Sequence, residues 1–296
     1  LRDALLERAT NLPMADQRTL WRIAELCRDT DTDAREVALQ AQQDEGFAAM
    51  LMRLANSAWS ASSARIGDLP TAVSRLGLTF VESLAMATPG IRLAAAGGWK
   101  YAGPRRKLHR HAVRTGLAAR ALATRPLDPE EALVGGLVHN IGLSVIAVLE
   151  PDLFGELLDA ASGGERLHPF EEERLGFTHA EIGAMLAERW GYPAQHVAAI
   201  VDHDHDHATG MTALVRVADL LGREAGVGVE PPEPIDLDLA ARAGVDLDLA
   251  RARLAPLFDA EARRDAVEAV EDEVTPVADE SSDRDVALAR ALDAAV

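Results

Sequence analysis

One cysteine, Cys27, stands among 296 residues. No internal disulfide can form, and a zinc site built on several thiolates is excluded. Both fit a reducing, cytoplasmic setting. Aromatic residues make up only 4 % of the chain, so its core must be largely aliphatic. Basic charge is scarce too: 30 Lys and Arg face 48 Asp and Glu, a net charge of −18. Nucleic acid and anionic lipid surfaces are recognised by basic faces, so neither is an expected partner. Strict apolar–polar alternation is rare, which leaves little room for strands. The opening LRDALLERAT carries Asp3 and Glu7 and no apolar stretch, unlike a secretory signal. Only the run 132–149 approaches membrane-spanning length. It contains Gly135, Gly136, His139, Asn140 and Ser144, which are costly in lipid, and it reads as a buried helix.

What is present favours helix. Hydrophobic residues reach 48 %, and Ala, Leu, Val and Arg dominate. Asp33 followed by Glu36 has the form of a capping box, and Asp44 can cap the helix carrying Phe47, Met50, Leu51 and Leu54. Asn56-Ser57 closes that helix, Asn56 being able to satisfy backbone groups at its end. Asp68 and Pro70 open another, and Gly77 can end it. The first hundred residues thus read as a bundle of about five helices. GGWKYAGP, residues 97–104, breaks the pattern. A second bundle follows, in which Thr178 and Glu181 form a capping box, and Gly191 and Pro193 end the helix. GVGVEPPEP, residues 226–234, reads as a linker, and 236–270 as two or three short amphipathic helices. Residues 226–296 hold 18 acidic side chains against 7 arginines. Trp59 and Trp190 read as core plugs.

Several polar groups interrupt apolar periodicity. His111 lies on a helical line with Leu108, Thr115, Ala118 and Leu122; His139 shares a face with Gly135 and Leu143. His179 sits in the first turn of a capped helix, His203 ends the run AAIV, and Asp219 interrupts VRVADLL. Burying any of them unpaired costs about 1–3 kcal/mol. The economical arrangement brings them together at one place, with each other or with a metal. Imidazole and carboxylate suit zinc, iron or manganese. The run HDHDH, residues 203–207, reads as a polar connection rather than a chelating loop.

The order of motifs resembles the HDOD family, the HD-related output domain of bacterial signalling proteins. RLANSAW, IGDLPTAVSRLG, GLVHNIG and LGFTHAEIGAMLAERWGYP resemble successive family elements, and VDHDH sits where the family often has a His-His pair. The match covers roughly residues 10–225. It implies an all-α fold, with an N-terminal helical subdomain over 1–98 and an HD-like helical subdomain over 99–225. Beyond it, 226–272 reads as a helical C-terminal extension by its amphipathic pattern and 273–296 as an acidic, flexible tail by its composition. Such domains are similar to HD-type metal phosphohydrolases, including cyclic-di-GMP phosphodiesterases. By that resemblance His111 matches the first metal ligand, His139 the His of the His-Asp pair, His179 and His203 later ligands, and Asp219 the final carboxylate. Two positions depart: Asn140 replaces the Asp of the pair, and Asp204 replaces the second His of the later pair.

A neutral amide offers a carbonyl oxygen and two N–H donors but no charge. Asn140 cannot neutralise two dications or anchor a hydroxide between them. The expectation is therefore a non-enzymatic regulatory module whose partners are other signalling proteins. Its degenerate pocket is expected without a cofactor, the alternative being a single weakly held divalent metal on His111, His139 and Asp219. Two further alternatives follow from the resemblance. One is a metal-dependent phosphohydrolase or cyclic-dinucleotide phosphodiesterase. The other is a sensor that binds a nucleotide messenger without cleaving it, with Arg105, Arg106 and Arg110 as phosphate candidates.

Overall fold

The computed structural model describes residues 1–11, 17–56, 66–95, 101–205 and 207–258, and every regular element among them is a helix. The first group comprises α1 (Arg2–Thr10), α2 (Gln17–Arg28), α3 (Ala34–Ala41), α4 (Glu45–Ala55), α5 (Leu69–Leu76) and α6 (Leu78–Ala95). The second comprises α7 (Ala102–Leu122), α8 (Pro129–Val138), α9 (Ile141–Leu149), α10 (Pro151–Ser162), α11 (Leu167–Leu175), α12 (His179–Arg189), α13 (Ala194–Val201) and α14 (Gly210–Glu224). A short α15 (Leu237–Ala243) and a helical stretch over 247–258 follow. Ser57, Trp59, residues 96–100, Asp206 and everything after 258, including the acidic tail, lie outside the described residues.

Local signals set most helix starts. Asp44, Asp68 and Asp128 each accept N–H bonds from the first turn of α4, α5 and α8. Asp33 caps α3 alone, accepting from the Arg35 and Glu36 amides; Glu36 does not return the bond that a capping box requires. Thr178 and Glu181 do form the full reciprocal box on α12. Asn56 ends α4 and also ties residue 66 to it: Ile66 N–H donates to Asn56 Oδ1 at 2.8 Å, and Asn56 Nδ2 donates to Ile66 O at 3.1 Å.

Helices α2 to α6 form the expected five-helix bundle. α1 does not join it; it packs on α9 and α12. Its Arg8 pairs with Glu150, and Arg189 donates to Thr10 Oγ1. The two bundles share one aliphatic core that runs from Leu5 to Phe258, with α6 packed on α7, α8 and α9 as the joint. A smaller cluster around Leu108, Leu143, Phe154 and Leu167 fills the space under α10 and α11. Trp190 is buried in the main core.

The apolar run 133–149 is not one helix. It breaks at His139–Asn140 into α8 and α9, with Asn140 at φ −102° and ψ 23°. The break turns both polar side chains inward. The 129–149 stretch is the one span among the described residues long and apolar enough to cross a membrane, and 89 % of its most apolar window is buried inside the fold. Two glycine crossings seat these helices. A Cβ on Gly136 would lie 2.5 Å from Gly116 Cα, so α7 and α8 touch backbone to backbone there. A Cβ on Gly142 would lie 1.8 Å from His179 O, and one on Gly183 2.9 Å from Gly142 N, so α9 and α12 do the same. These contacts bring His111, the 139–140 break and His179 within reach of one another.

The segment 226–234 does not behave as a linker. It folds back over the inner end of α14 and packs against α7 and the smaller cluster. A linker reading fails because Arg223, at the end of α14, binds the segment's carboxylates.

Candidate functional site

Six side chains from six places in the chain meet in the interior as two triads. In the first, the ligand atoms of His111 (α7), His139 (after α8) and Asp219 (α14) lie within 4.8 Å of one another. His111 Nε2 sits 2.8 Å from Asp219 Oδ1, and His139 Nε2 lies 3.8 Å from the same oxygen. In the second, His168 (α11), His179 (α12) and His203 (after α13) are equally close. The triads abut: the His139 and His203 ring centres are 5.2 Å apart. Five of the six residues are buried, and His168 is half-buried.

The two histidines at this junction share one bonding pattern. His139 Nδ1 lies 2.7 Å from Gly136 O, and His203 Nδ1 lies 2.7 Å from Ile200 O. A carbonyl only accepts, so each ring donates through Nδ1 and carries its lone pair on Nε2. Neither Nε2 has a hydrogen-bond partner. Burial pulls His139 and His168 down to about 4 and holds His203 well below the ordinary imidazole value, so all three rings are neutral at pH 7.

His179 is the opposite case. Its Nδ1 donates to Glu171 Oε2 at 2.8 Å, and its backbone N–H donates to the same carboxylate at 2.9 Å. Its Nε2 donates to Asn140 Oδ1 at 3.1 Å. Both nitrogens carry protons in this arrangement, so the ring is a cation. Burial opposes the charge, but the adjacent Glu171 carboxylate outweighs it and pushes His179 up to about 9.

Two guanidinium groups balance the site carboxylates. Arg216 Nη1 donates to Asp204 Oδ1 at 3.0 Å. Arg223 Nη1 donates to Asp219 Oδ2 at 3.3 Å. Burial would raise Asp219, but Arg223 and His111 hold it well below the usual carboxylate range. Asp204 is likewise held low against burial, with the Arg216 and Arg223 guanidinium groups beside it. Glu230 lies 3.6 Å from Arg223 Nη2, yet burial pushes it up to about 7.

All five residues read as metal ligands in the sequence, together with Asn140 and Asp204, therefore lie in or against one cage. Arg106 is exposed, and Arg105 is buried on α7 more than one turn before His111. Arg110, next to His111 in sequence, is half-buried and points about 100° away round the helix. Sequence reading passed over His168, Glu171, Arg216, Arg223 and Glu230. HDHDH divides: His203 and Asp204 are buried in the site, while His205 is exposed and stacks on His207.

A profile of the HDOD domain matches residues 12–206. The chain belongs to the HDOD family. It is similar to an HDOD domain protein of unknown function from Geobacter sulfurreducens, at 25 % identity and TM-score 0.69, covering 93 % of this chain and 99 % of that one. It shares its fold with a candidate signal transduction protein from Marinobacter aquaeolei VT8, at 24 % identity and TM-score 0.71, covering 97 % of this chain and 61 % of that one. A candidate phosphohydrolase from Shewanella amazonensis SB2B also shares the fold, at 24 % identity and TM-score 0.67, covering 86 % and 94 %. An uncharacterized protein of Treponema pallidum (strain Nichols) is 27 % identical over 210 residues, 69 % of this chain. The chain spans 40 % of the length of that curated relative.

The residues of this HDOD chain fit a dinuclear centre poorly. Two adjacent dications need an anionic oxygen between them, and Asn140 supplies a neutral one that already accepts from His179. The first triad does have a donor set for one divalent ion. His139 Nε2 is an orphaned lone pair fixed by the Nδ1 bond behind it, and Asp219 supplies the anion.

Proposed function

We propose that this HDOD chain is a non-enzymatic signalling module, in a cytoplasmic setting, that works through contacts with other signalling proteins and keeps its HD-like pocket as a structural network. One observation carries the reading: His179 is held on both nitrogens, by Glu171 and by Asn140. A histidine committed in this way has no lone pair for a metal, and the amide that engages it stands where the resemblance requires a carboxylate. The half of the pocket around His179 is thus satisfied from within by Glu171 and Asn140.

The test is a pair of proteins, the natural chain and Asn140→Asp. The natural chain is expected to hold no stoichiometric manganese, iron or zinc and to leave cyclic dinucleotides and phosphomonoesters intact with metal added. Asn140→Asp is expected to bind divalent metal about 10–100-fold more tightly, the scale of changes around metal sites. Turnover by the natural chain would remove the reading.

A second reading has its own support in the bare Nε2 of His139 beside Asp219. It is a mononuclear site on His111, His139 and Asp219, in which the ion would supply Lewis acidity. Stoichiometric metal lost on His139→Gln, with fold retained, is the result that would favour it.

A further inference from the structure

α14 ends at Glu224, and Gly226, at φ +79°, reverses the chain. Val227 N–H returns to Gly222 O at 2.9 Å. Residues 228–235 then make no backbone–backbone hydrogen bond with any described residue. They are held by side chains instead. Gly228, at φ +131°, lies flat on His111: a Cβ there would stand 3.1 Å from His111 Nδ1 and 3.5 Å from Arg223 Cγ. Val229 packs into the smaller apolar cluster. Arg223 Nε donates to Pro231 O at 3.0 Å, and its Nη2 donates to Glu233 Oε1 at 2.5 Å and faces Glu230 at 3.6 Å. Glu233 also meets Arg166 Nε at 3.2 Å. The far end is anchored by α15, which packs on α14.

Arg223 therefore serves two masters. Its Nη1 holds Asp219 inside the cage, and its Nε and Nη2 hold the segment outside it. The segment covers the edge of His111 that faces away from Asp219, and His111, Asp219 and Arg223 are each 1–2 % exposed. A stretch without backbone pairing, tethered at its ends by Val227 and Ile235 on the main core and fastened between them by Val229 and a few ion pairs, is less firmly held than the helices around it.

We propose that residues 226–235 form a strap that seals the cage: Glu230 and Glu233 latch it on Arg223 and Arg166, and unlatching exposes His111 to solvent and to any ligand or partner of the pocket. The strap explains why the chain keeps Gly-Val-Gly here. Gly226 makes the reversal, and Gly228 lets the backbone lie against the ring without a side chain between. The three prolines at 231, 232 and 234 restrict the segment to extended conformations, so that a released strap stays short of helix and can close again.

The proposal rests on the cage described above but not on its being free of metal, and its test uses metal-free protein. The full chain, dialysed against a chelator, is labelled with diethyl pyrocarbonate, and each histidine is read by mass spectrometry. His111 should label at least tenfold more slowly than His205. Gly228→Ala, which forces a Cβ against the ring, and the double variant Glu230→Gln/Glu233→Gln should each raise His111 labelling at least fivefold. Hydrogen exchange in α2–α6 should stay unchanged as the control for folding. Rapid His111 labelling in the natural chain, or protection that survives both substitutions, overturns the strap. Should both variants unfold, the natural chain in sub-denaturing urea decides: His111 labelling that rises before the amides of α14 lose their protection from hydrogen exchange supports the strap, and labelling that rises only together with them overturns it. Metal binding or hydrolysis by the natural chain would defeat the signalling reading without touching this result.

Discussion

His139 and His179 belong to the same buried cage, separated by one ring, that of His203, and yet they titrate on opposite sides of neutrality. His139 is pulled down to about 4 by burial, while His179 is pushed up to about 9 because Glu171 outweighs burial. Burial is complete for both. The difference lies in what the outer nitrogen meets. A peptide carbonyl behind His139 fixes a neutral tautomer; a carboxylate behind His179 fixes a cation. The inner nitrogens then diverge: that of His139 keeps a bare lone pair, and that of His179 donates to Asn140. One half of the cage keeps the form of a ligand, and the other half has become a hydrogen-bond network.

The anion of the first half is the place to break this comparison most severely. Asp219 faces His111, His139 and Arg223 with almost no exposure. Asp219→Ala strips a buried cation of its partner, which costs about 3–5 kcal/mol. Urea denaturation should show it. A loss below about 1 kcal/mol would mean that Arg223 is satisfied by the strap alone.

Removing the anion of the second half acts through pH. The folded pKa of His179, about 9, lies above the unfolded value near 6.5. Its contribution is therefore complete below pH 6.5 and lost as pH rises to about 9, and it amounts to about 3 kcal/mol. Glu171→Gln should cost about that much at pH 6 and little at pH 9.5. Denaturation midpoints at the two pH values check it; an equal loss at both would assign Glu171 a packing role only.

The halves together predict a stability maximum. His139, His168 and His196 have folded values of about 4, below the unfolded 6.5. Their contribution is complete above pH 6.5 and lost as pH falls towards 4. His203, held well below the ordinary imidazole value by burial, acts with them. Glu230, raised to about 7, works against them between its ordinary value and 7, one group against four. Stability should peak near pH 6.5 and decline on both sides. Ring-carbon NMR at that pH should find His139 neutral and His179 charged. Finding the two rings in the same charge state would dissolve the comparison.

What the sequence made legible follows the same division. His111, His139, Asn140, His179, His203 and Asp219 stand out because each interrupts an apolar period, and the all-helical fold follows from that period. Glu171 could not be chosen among three consecutive glutamates; only folding shows that Glu171 is buried while Glu172 and Glu173 are exposed. His168 lies in RLHPF, where no amphipathic pattern marks a helix. Arg223 closes α14 in GRE and resembles any solvated helix end, because its partners Glu230 and Glu233 lie beyond a glycine turn. The break at His139–Asn140 was hidden for another reason: the residues on both sides are equally apolar, so periodicity continues through it.

The smallest effect tests how the cation of the second half is delivered. His179 is the first residue of α12, and its own N–H as well as its ring is bound to Glu171. Thr178, just before it, accepts from Glu181 N–H, and Glu181 bonds back to Thr178 N–H. Thr178→Ala removes one cap bond and should cost about 1 kcal/mol. If the cap only starts the helix, the His179 ring will still titrate near 9. If it also aims the ring, that value will fall towards the ordinary imidazole range, and NMR titration separates the two. We expect the pKa to hold, because two bonds to Glu171 and one to Asn140 already fix the ring, and the cap touches none of them.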